Sequence, residues 1–187
     1  MRLFVAVDPD EAVRQALAAI LEALRPLAPD AKWAKPEGMH LTLAFLGEVA
    51  DATVPAVKEA VERAARGSAP LHLSAKGGGS FGARSHPRVL WVGLEGDVEP
   101  LGSLKSTLEA ALVPSGYQPD PRPFSPHLTL ARSRLPRGDR DLATCAADLA
   151  LADLGGFVAE ELILYRSHLS PKGSRYEVLV RAKLGGG

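Results

Sequence analysis

The chain has 187 residues, of which 46% are hydrophobic and 24% are charged, a composition typical of one folded, soluble domain. Its 22 basic residues balance its 22 acidic residues, which argues against a protein that coats long nucleic acids or anionic membranes. A single cysteine, Cys145, excludes an internal disulfide framework and a multi-cysteine metal site. No segment is long and apolar enough to span a membrane, and the short apolar run at the N-terminus ends in acidic residues. A cytoplasmic protein is therefore the expectation.

The first half of the chain predicts the order strand, helix, strand, helix, strand. Residues 3–7 form the first strand, and Asp8 is the predicted cap of a helix whose apolar stripe runs from Val13 to Leu24. Residues 40–46 form the next strand, and Val54, Val57 and Val61 mark the second helix. A strand over residues 71–75 follows, and the glycines at 77–79 predict a flexible turn.

From Arg88 the same order recurs. Residues 89–94 form a strand, a helix follows with leucines at 101, 104, 108 and 112, and prolines at 119, 121 and 123 stiffen the link to a strand over 124–131. A shorter helix packs Leu142, Cys145 and Leu149, and final strands over 157–165 and 175–180 flank a turn at 170–173. The repeat predicts an α+β fold in a single domain of two pseudo-symmetric lobes, about residues 1–86 and 87–187. Each lobe is expected to have a mainly antiparallel sheet with helices outside, and a cleft is expected between the lobes.

Two matching tetrads, His40-Leu41-Thr42-Leu43 and His127-Leu128-Thr129-Leu130, occupy corresponding strands 87 positions apart. Because side chains alternate across a strand, each tetrad packs its leucines inward and presents an imidazole beside a hydroxyl. Imidazole titrates near neutral pH, so one ring can accept a proton while the other donates one. Threonine hydroxyls can donate hydrogen bonds to phosphate oxygens. This combination matches the hydrolysis of a phosphodiester.

Two other interpretations of the histidines are weaker. A single histidine on a strand is most often a structural residue, but two identical tetrads in matching places are hard to assign to chance. A bis-histidine metal site lacks a nearby Cys, Asp or Glu to complete a ligand set. Neither a metal nor another cofactor is expected.

Arg132 and three aromatic residues are further candidates. A guanidinium at 132 could clamp a phosphate in bidentate fashion, yet strict alternation places Arg132 with Leu128 and Leu130, so the spacing leaves its role open. Phe45, Phe124 and Tyr165 could stack on a nucleobase, although core packing is the commoner role of such residues.

These residues resemble the two-histidine phosphoesterase superfamily, and within it the RNA 2′,3′-cyclic phosphodiesterases, also described as 2′-5′ RNA ligases. The matching stretches are residues 33–47, 87–93 and 122–132, together with 164–167, Gly173 and Tyr176. Members often have Phe-Pro where this chain has Phe81-Gly82.

The resemblance implies a bilobal fold, no metal, and opening of a 2′,3′-cyclic phosphate at an RNA end, or in a small cyclic nucleotide, to a 2′-phosphomonoester. It implies that His40 donates a proton to the leaving oxygen and that His127 activates water. It also implies that Thr42, Thr129 and Arg132 hold the phosphate.

Two rival functions stay open from the sequence: joining RNA ends through the reverse reaction, and non-catalytic binding of RNA ends or nucleotides. The groups that catalyse hydrolysis also catalyse its reverse, so the residues cannot separate hydrolysis from ligation. A monomer without an obligate protein partner is expected, because a duplicated chain can build a two-fold site alone.

Overall fold

The computed structural model describes residues 1–170 and 173–186. All strand pairs in this part of the chain are antiparallel. The elements in chain order are β1 (Arg2–Val7), α1 (Glu11–Leu24), β2 (Lys32–Trp33), β3 (Leu41–Glu48), α2 (Val54–Arg66), β4 (Leu71–Ala83), β5 (His86–Gly96), α3 (Val98–Leu112), β6 (His127–Arg132), α4 (Arg140–Leu149), β7 (Asp153–Ala159), β8 (Glu161–Ser170) and β9 (Gly173–Lys183).

Two antiparallel sheets organise the molecule, and each contains one of the tetrad strands. The first sheet has the order β3-β1-β8-β9, and the second has the order β2-β6-β5-β4-β7. The predicted α+β fold with two pseudo-symmetric halves is confirmed. The halves of the sequence nevertheless exchange strands, since β4 joins the second sheet whereas β8 and β9 complete the first.

Helices cover the sheets through apolar stripes. Helix α2 packs against β8 and β9, and α4 packs against β4 and β5. Helix α1 buries Val13, Leu17, Leu21 and Leu24, as the spacing predicts, and burial of each large side chain stabilises the fold by about 1.5–3 kcal/mol. Cys145 is fully buried on α4, which confirms the predicted packing role. Within the described ranges, no helix has both the length and the apolar character required to cross a membrane.

The predicted cap of α1 is wrong by two residues. Asp10 caps the helix, and its Oδ1 accepts a hydrogen bond from the Val13 amide at 2.9 Å. Asp8 instead forms an ion pair with Arg14, 3.0 Å from Nη2, and accepts a hydrogen bond from the Tyr165 hydroxyl at 2.7 Å. Both carboxylates suit a helix N-terminus, and the tertiary partners of Asp8 decide between them.

The predicted turn at glycines 77–79 is also wrong, because these residues lie inside β4. A Cβ on Gly78 would lie 2.6 Å from Cβ of Leu149, at the end of α4, and a Cβ on Gly79 would lie 2.8 Å from the Trp91 ring. The glycines therefore allow a helix end and an indole to approach the strand closely.

The predicted strand over residues 157–165 is two strands. β7 ends at Ala159 and pairs with β4 in the second sheet, whereas β8 begins at Glu161 and pairs with β1 in the first. The chain thus changes sheets at Glu160, between two apolar runs, where no glycine or proline marks a turn. Of the turn predicted at 170–173, Pro171 and Lys172 lie outside the described residues.

Candidate active site

Strand β6 places three of the predicted site residues on one face. His127 pairs with Gly93, Thr129 with Trp91 and Arg132 with Val89, so all three lie opposite alternate residues of β5. This common face depends on Leu130, an extra residue between the pairs Trp91–Thr129 and Leu90–Ala131, which forms a β-bulge. Leu130 and Ala131 are consecutive buried residues, and the alternation restarts after them. The bulge thus brings Arg132 to the face that strict alternation denies it.

Strand β3 repeats the same device in the first sheet. Thr42 pairs with Ala6, and Phe45 pairs with Phe4. Leu43 is the extra residue, because Ala44 pairs with Val5, the next residue of β1. Phe45 therefore occupies the position that corresponds to Arg132. Phe45 is 51% exposed, and the Arg2 guanidinium carbon lies 4.9 Å from its ring centroid.

His127 is held by its backbone and by aromatic neighbours. Its Nδ1 lies 2.7 Å from the Ser125 carbonyl oxygen. Because a carbonyl oxygen only accepts, Nδ1 carries a hydrogen, and Nε2 of the neutral ring is left as a proton acceptor. The ring meets Phe81 edge-on at 4.9 Å between centroids and lies 6.2 Å from Trp91.

His40 lies immediately before β3, in a larger aromatic cluster. Its ring stacks on Phe4 at 4.6 Å between centroids, and Tyr176 meets it edge-on at 5.1 Å. Tyr165 lies 5.9 Å away, and its hydroxyl binds Asp8. Each histidine therefore has an aromatic edge against its ring, supplied by Tyr176 in the first sheet and by Phe81 in the second.

The surroundings lower the pKa of both imidazoles. Burial lowers the pKa of His40 to about 4, although the Asp8 carboxylate opposes this shift; the Arg14 charge adds to it, and a hydrogen bond with the Gly38 backbone opposes it. Burial also lowers the pKa of His127, the bond to Ser125 opposes the shift, and the Arg132 charge adds to it. Both rings are thus neutral in the free protein near pH 7.

The two threonines differ in exposure. Thr42 is exposed and Thr129 is half-buried, each on the same face as its histidine. Arg132 is exposed and forms no ion pair with any residue in the described ranges. Hydroxyl and guanidinium donors are thus available to an incoming anion.

The other two aromatic candidates are packed against protein. Tyr165 is only 8% exposed, and its ring stacks on Phe4, so this placement favours packing over base stacking. Phe124 is half-buried against the core, with Lys105 Nζ 5.4 Å from its ring centroid. Of the three aromatic candidates, Phe45 is the one that presents about half of its surface to solvent.

The segment between β2 and β3 connects the two sheets. Trp33 pairs with Ala131, and the Ala34 amide donates to the Leu130 carbonyl at 2.8 Å. His40 follows Trp33 by seven residues, which span at most about 25 Å when extended. A one-turn 3-10 helix at Pro36–Gly38 shortens this reach, so the tether between His40 and the strand that carries His127 is shorter than this limit.

Sequence reasoning missed several residues of the site. The sequence patterns predict only that Phe4 and Trp91 lie in strands and that Asp8 caps a helix. The alternation of side chains along β1 could have identified Phe4 and Asp8, because Phe4, Ala6 and Asp8 are alternate residues that fall on the same face as His40. Among the described residues, no group of three or more His, Cys, Asp or Glu side chains could hold a metal ion.

Comparison with known proteins adds independent information. The family model described as LigT like Phosphoesterase matches twice, over residues 7–91 and 92–176. A protein from Methanothermobacter thermautotrophicus, named RNA 2′,3′-cyclic phosphodiesterase, is 33% identical over 94% of this chain and 95% of its own length. A protein of the same name from Thermotoga maritima is 31% identical over 100% of this chain and 97% of its own.

Solved structures of similar proteins have the same fold over nearly the whole chain. A crystal structure of a Thermus thermophilus protein superposes with a TM-score of 0.83 at 33% identity, covering 100% of this chain and 99% of the other. Escherichia coli LigT, solved in complex with 3′-AMP, superposes with a TM-score of 0.76 at 27% identity, over 99% and 98% of the two chains. The chain is therefore a member of the LigT-like, two-histidine phosphoesterase family, an enzyme family whose relatives act on phosphoric diesters.

Proposed function

We propose that this protein hydrolyses RNA 2′,3′-cyclic phosphate ends to 2′-phosphomonoesters without a metal ion, with His40 as the acid and His127 as the base. The observation that carries the proposal is the repeated face: an imidazole and a hydroxyl at matching positions of the two sheets, each followed by a leucine bulge. The relatives named RNA 2′,3′-cyclic phosphodiesterase support the substrate class.

In the proposed reaction, Nε2 of His127 takes a proton from water as the water oxygen attacks phosphorus. The phosphorus–O3′ bond breaks, its electron pair goes to O3′, and the protonated His40 ring transfers its proton to that oxygen. The hydrogen bond from Nδ1 of His127 to Ser125 supports the role of base, because it leaves Nε2 as the acceptor.

Three donors are proposed to bind the phosphate. The hydroxyls of Thr42 and Thr129 and the guanidinium of Arg132 would surround the non-bridging oxygens, where negative charge gathers in the transition state. The shared face of Thr129 and Arg132 supports this role. Because Phe45 takes the place of Arg132 in the first sheet and keeps an exposed ring, we assign it to stacking on the terminal base.

In the proposed mechanism, the bound substrate helps His40 to act as the acid. A ring with a pKa of about 4 is neutral near pH 7 and lacks the acidic proton that an imidazolium could transfer to the leaving oxygen. A bound phosphodiester carries a negative charge, and a nearby opposite charge raises the pKa of an imidazole. His40 is thus proposed to become protonated as the substrate binds.

A short RNA with a 2′,3′-cyclic phosphate, incubated with the protein in excess chelator, tests the proposal. Phosphorus NMR of the product should show a 2′-phosphomonoester. A 3′-phosphate, a ligated strand from RNA halves with defined ends, or tight binding without turnover would each contradict it. We further propose that the protein acts as a cytoplasmic monomer, since one chain contains both tetrads and its cysteine is a buried thiol.

A further inference from the structure

The two tetrads are nearly identical, yet the residues across from the histidines differ. In the second sheet, Gly93 pairs directly with His127. In the first sheet, Ala6 pairs with Thr42 and Val7 with Leu41, and continuing this register by one residue sets Asp8 opposite His40. Directly opposed side chains on one face have Cβ atoms about 4.5–5.5 Å apart. The extended register thus sets a carboxylate across from His40, whereas the observed register sets a glycine, with no side chain, across from His127.

The Asp8 carboxylate is held in place by a hydrogen bond and an ion pair, both to the same oxygen. Its Oδ2 accepts a hydrogen bond from the Tyr165 hydroxyl at 2.7 Å and lies 3.0 Å from Nη2 of Arg14. Arg14 is fixed in turn, since its Nη1 donates to the carbonyls of Pro36 and Met39 just before His40. Asp8 Oδ1 is buried and has no hydrogen-bond partner among the described residues. Such an oxygen is costly unless it serves an interaction made at another stage.

We propose that Asp8 is the positioning residue that makes the two histidines unequal: it favours the protonated form of His40 once the substrate is bound, while His127, opposite Gly93, remains the acceptor. This inference rests on the proposed function. The charges and titratable groups around His40 are Asp8 at the end of β1, Arg14 on α1, Tyr165 on β8 and Tyr176 on β9. Asp8 is the anion among them, and it raises the pKa of His40 against the effect of burial.

The second sheet has little room for a side chain opposite His127. A Cβ on Gly93 would lie 3.0 Å from the Lys76 carbonyl oxygen and 3.5 Å from the Trp91 ring. The charge that acts on His127 is instead that of Arg132, which favours the neutral ring. The charge of Asp8 therefore favours the protonated ring of His40, whereas the charge of Arg132 favours the neutral ring of His127.

Asp8→Asn tests the inference, because it keeps the shape and removes the charge. With a cyclic-phosphate RNA, the alkaline limb of kcat should move to lower pH, and kcat near pH 8 should fall by about tenfold or more, since one pKa unit is a tenfold change in the protonated fraction. With a 4-nitrophenyl phosphodiester, whose leaving group needs no proton, kcat should be nearly unchanged. Glu22→Gln, an exposed α1 position with the same change in net charge, should match the wild type.

Tyr165→Phe provides an opposite shift. It removes a donor from the Asp8 carboxylate while keeping the aromatic ring, so the alkaline limb should move to higher pH. NMR titration of His40 in the free proteins should show a lower pKa in Asp8→Asn and a higher one in Tyr165→Phe. Superimposable pH profiles, or a loss that is equal for both leaving groups, would overturn the role of Asp8. If the wild type itself does not open the cyclic phosphate, the proposed function fails instead, and the NMR titration still tests the Asp8–His40 interaction.

Discussion

Arg132 shows how one extra residue in a strand decides the chemistry of a face. Strict alternation places the Arg132 side chain on the face of Leu128 and Leu130. The bulge at Leu130 instead places Arg132 on the same side of β6 as Thr129 and His127. A bulge cannot be deduced from alternation, because it is the place where alternation fails. In the sequence, each bulge coincides with a consecutive leucine and alanine, at residues 130–131 and 43–44.

We expect Arg132→Lys to lower kcat/KM for a cyclic-phosphate RNA by about tenfold or more. Lysine keeps the charge but loses the two-pronged donor geometry, and hydrogen bonds to charged groups contribute about 1.5–3 kcal/mol. Steady-state kinetics measures the change. The matched control is Arg134→Lys, an exposed arginine beyond the end of β6, which should retain wild-type kinetics. Equal losses in both variants would argue for a diffuse electrostatic effect.

The buried, neutral state of His40 predicts a loss of stability in acid. In the unfolded chain its pKa is near 6.5, and in the folded protein it is about 4. The unfolded state therefore binds more protons between these values, and the free energy of unfolding falls as the pH drops from 6.5 towards 4. The full contribution is on the order of 3 kcal/mol.

Urea unfolding at pH 7.5 and pH 4.5 measures this effect. His40→Gln has no imidazole to protonate at this position, so its free energy of unfolding should fall less between the two pH values than that of the wild type. Burial also lowers the pKa of His127, so part of the acid sensitivity should persist in the variant. An unchanged pH dependence in His40→Gln would contradict the neutral state of His40.

At the scale of elements, most helices and strands follow from apolar periodicity, and the errors have tertiary causes. The glycines at 77–79 have the composition of a turn, but they lie in β4 because α4 and Trp91 pack closely against them. The break between β7 and β8 contains no glycine or proline, and it arises because the chain passes from one sheet to the other. Local propensity carries no information on either event.

Gly78→Ala should destabilise the protein by about 1–3 kcal/mol, the usual cost of overpacking. The new methyl group would lie 2.6 Å from Cβ of Leu149 and 3.0 Å from the Trp91 carbonyl oxygen. Thermal unfolding measures the difference. Gly102→Ala on α3 is the control: no atom lies within 4 Å of its new Cβ, so it should raise stability by about 0.5–1 kcal/mol through helix propensity. A neutral Gly78→Ala would refute close packing at this strand.

At the scale of the whole molecule, the exchange of strands makes the two halves of the chain interdependent. The sequence repeat predicted two lobes at about 1–86 and 87–187, and the repeat itself is present. The sheets, however, are mixed: β4 pairs with β5 and β7, and β1 pairs with β8. A repeat shows which segments correspond, but the partners of each strand are set by long-range pairing.

Separate fragments 1–86 and 87–187 should therefore fail to fold alone. The first would leave β4 without either partner, and the second would leave β8 without β1. Circular dichroism and amide NMR spectra would show this, and mixing the two fragments should restore native dispersion. A fragment that folds cooperatively alone would show that the lobes are independent.

The central claim is that His40 and His127 act together on one phosphate. The most direct test measures turnover of a 2′,3′-cyclic phosphate RNA, in chelator, by the wild type, His40→Ala, His127→Ala and the double variant. Each single variant should lose about 10²–10⁴-fold in kcat, with the fold retained, and the double variant should be little worse than the poorer single one. Near-normal turnover in either single variant, or losses that multiply in the double variant, would contradict a shared acid–base pair.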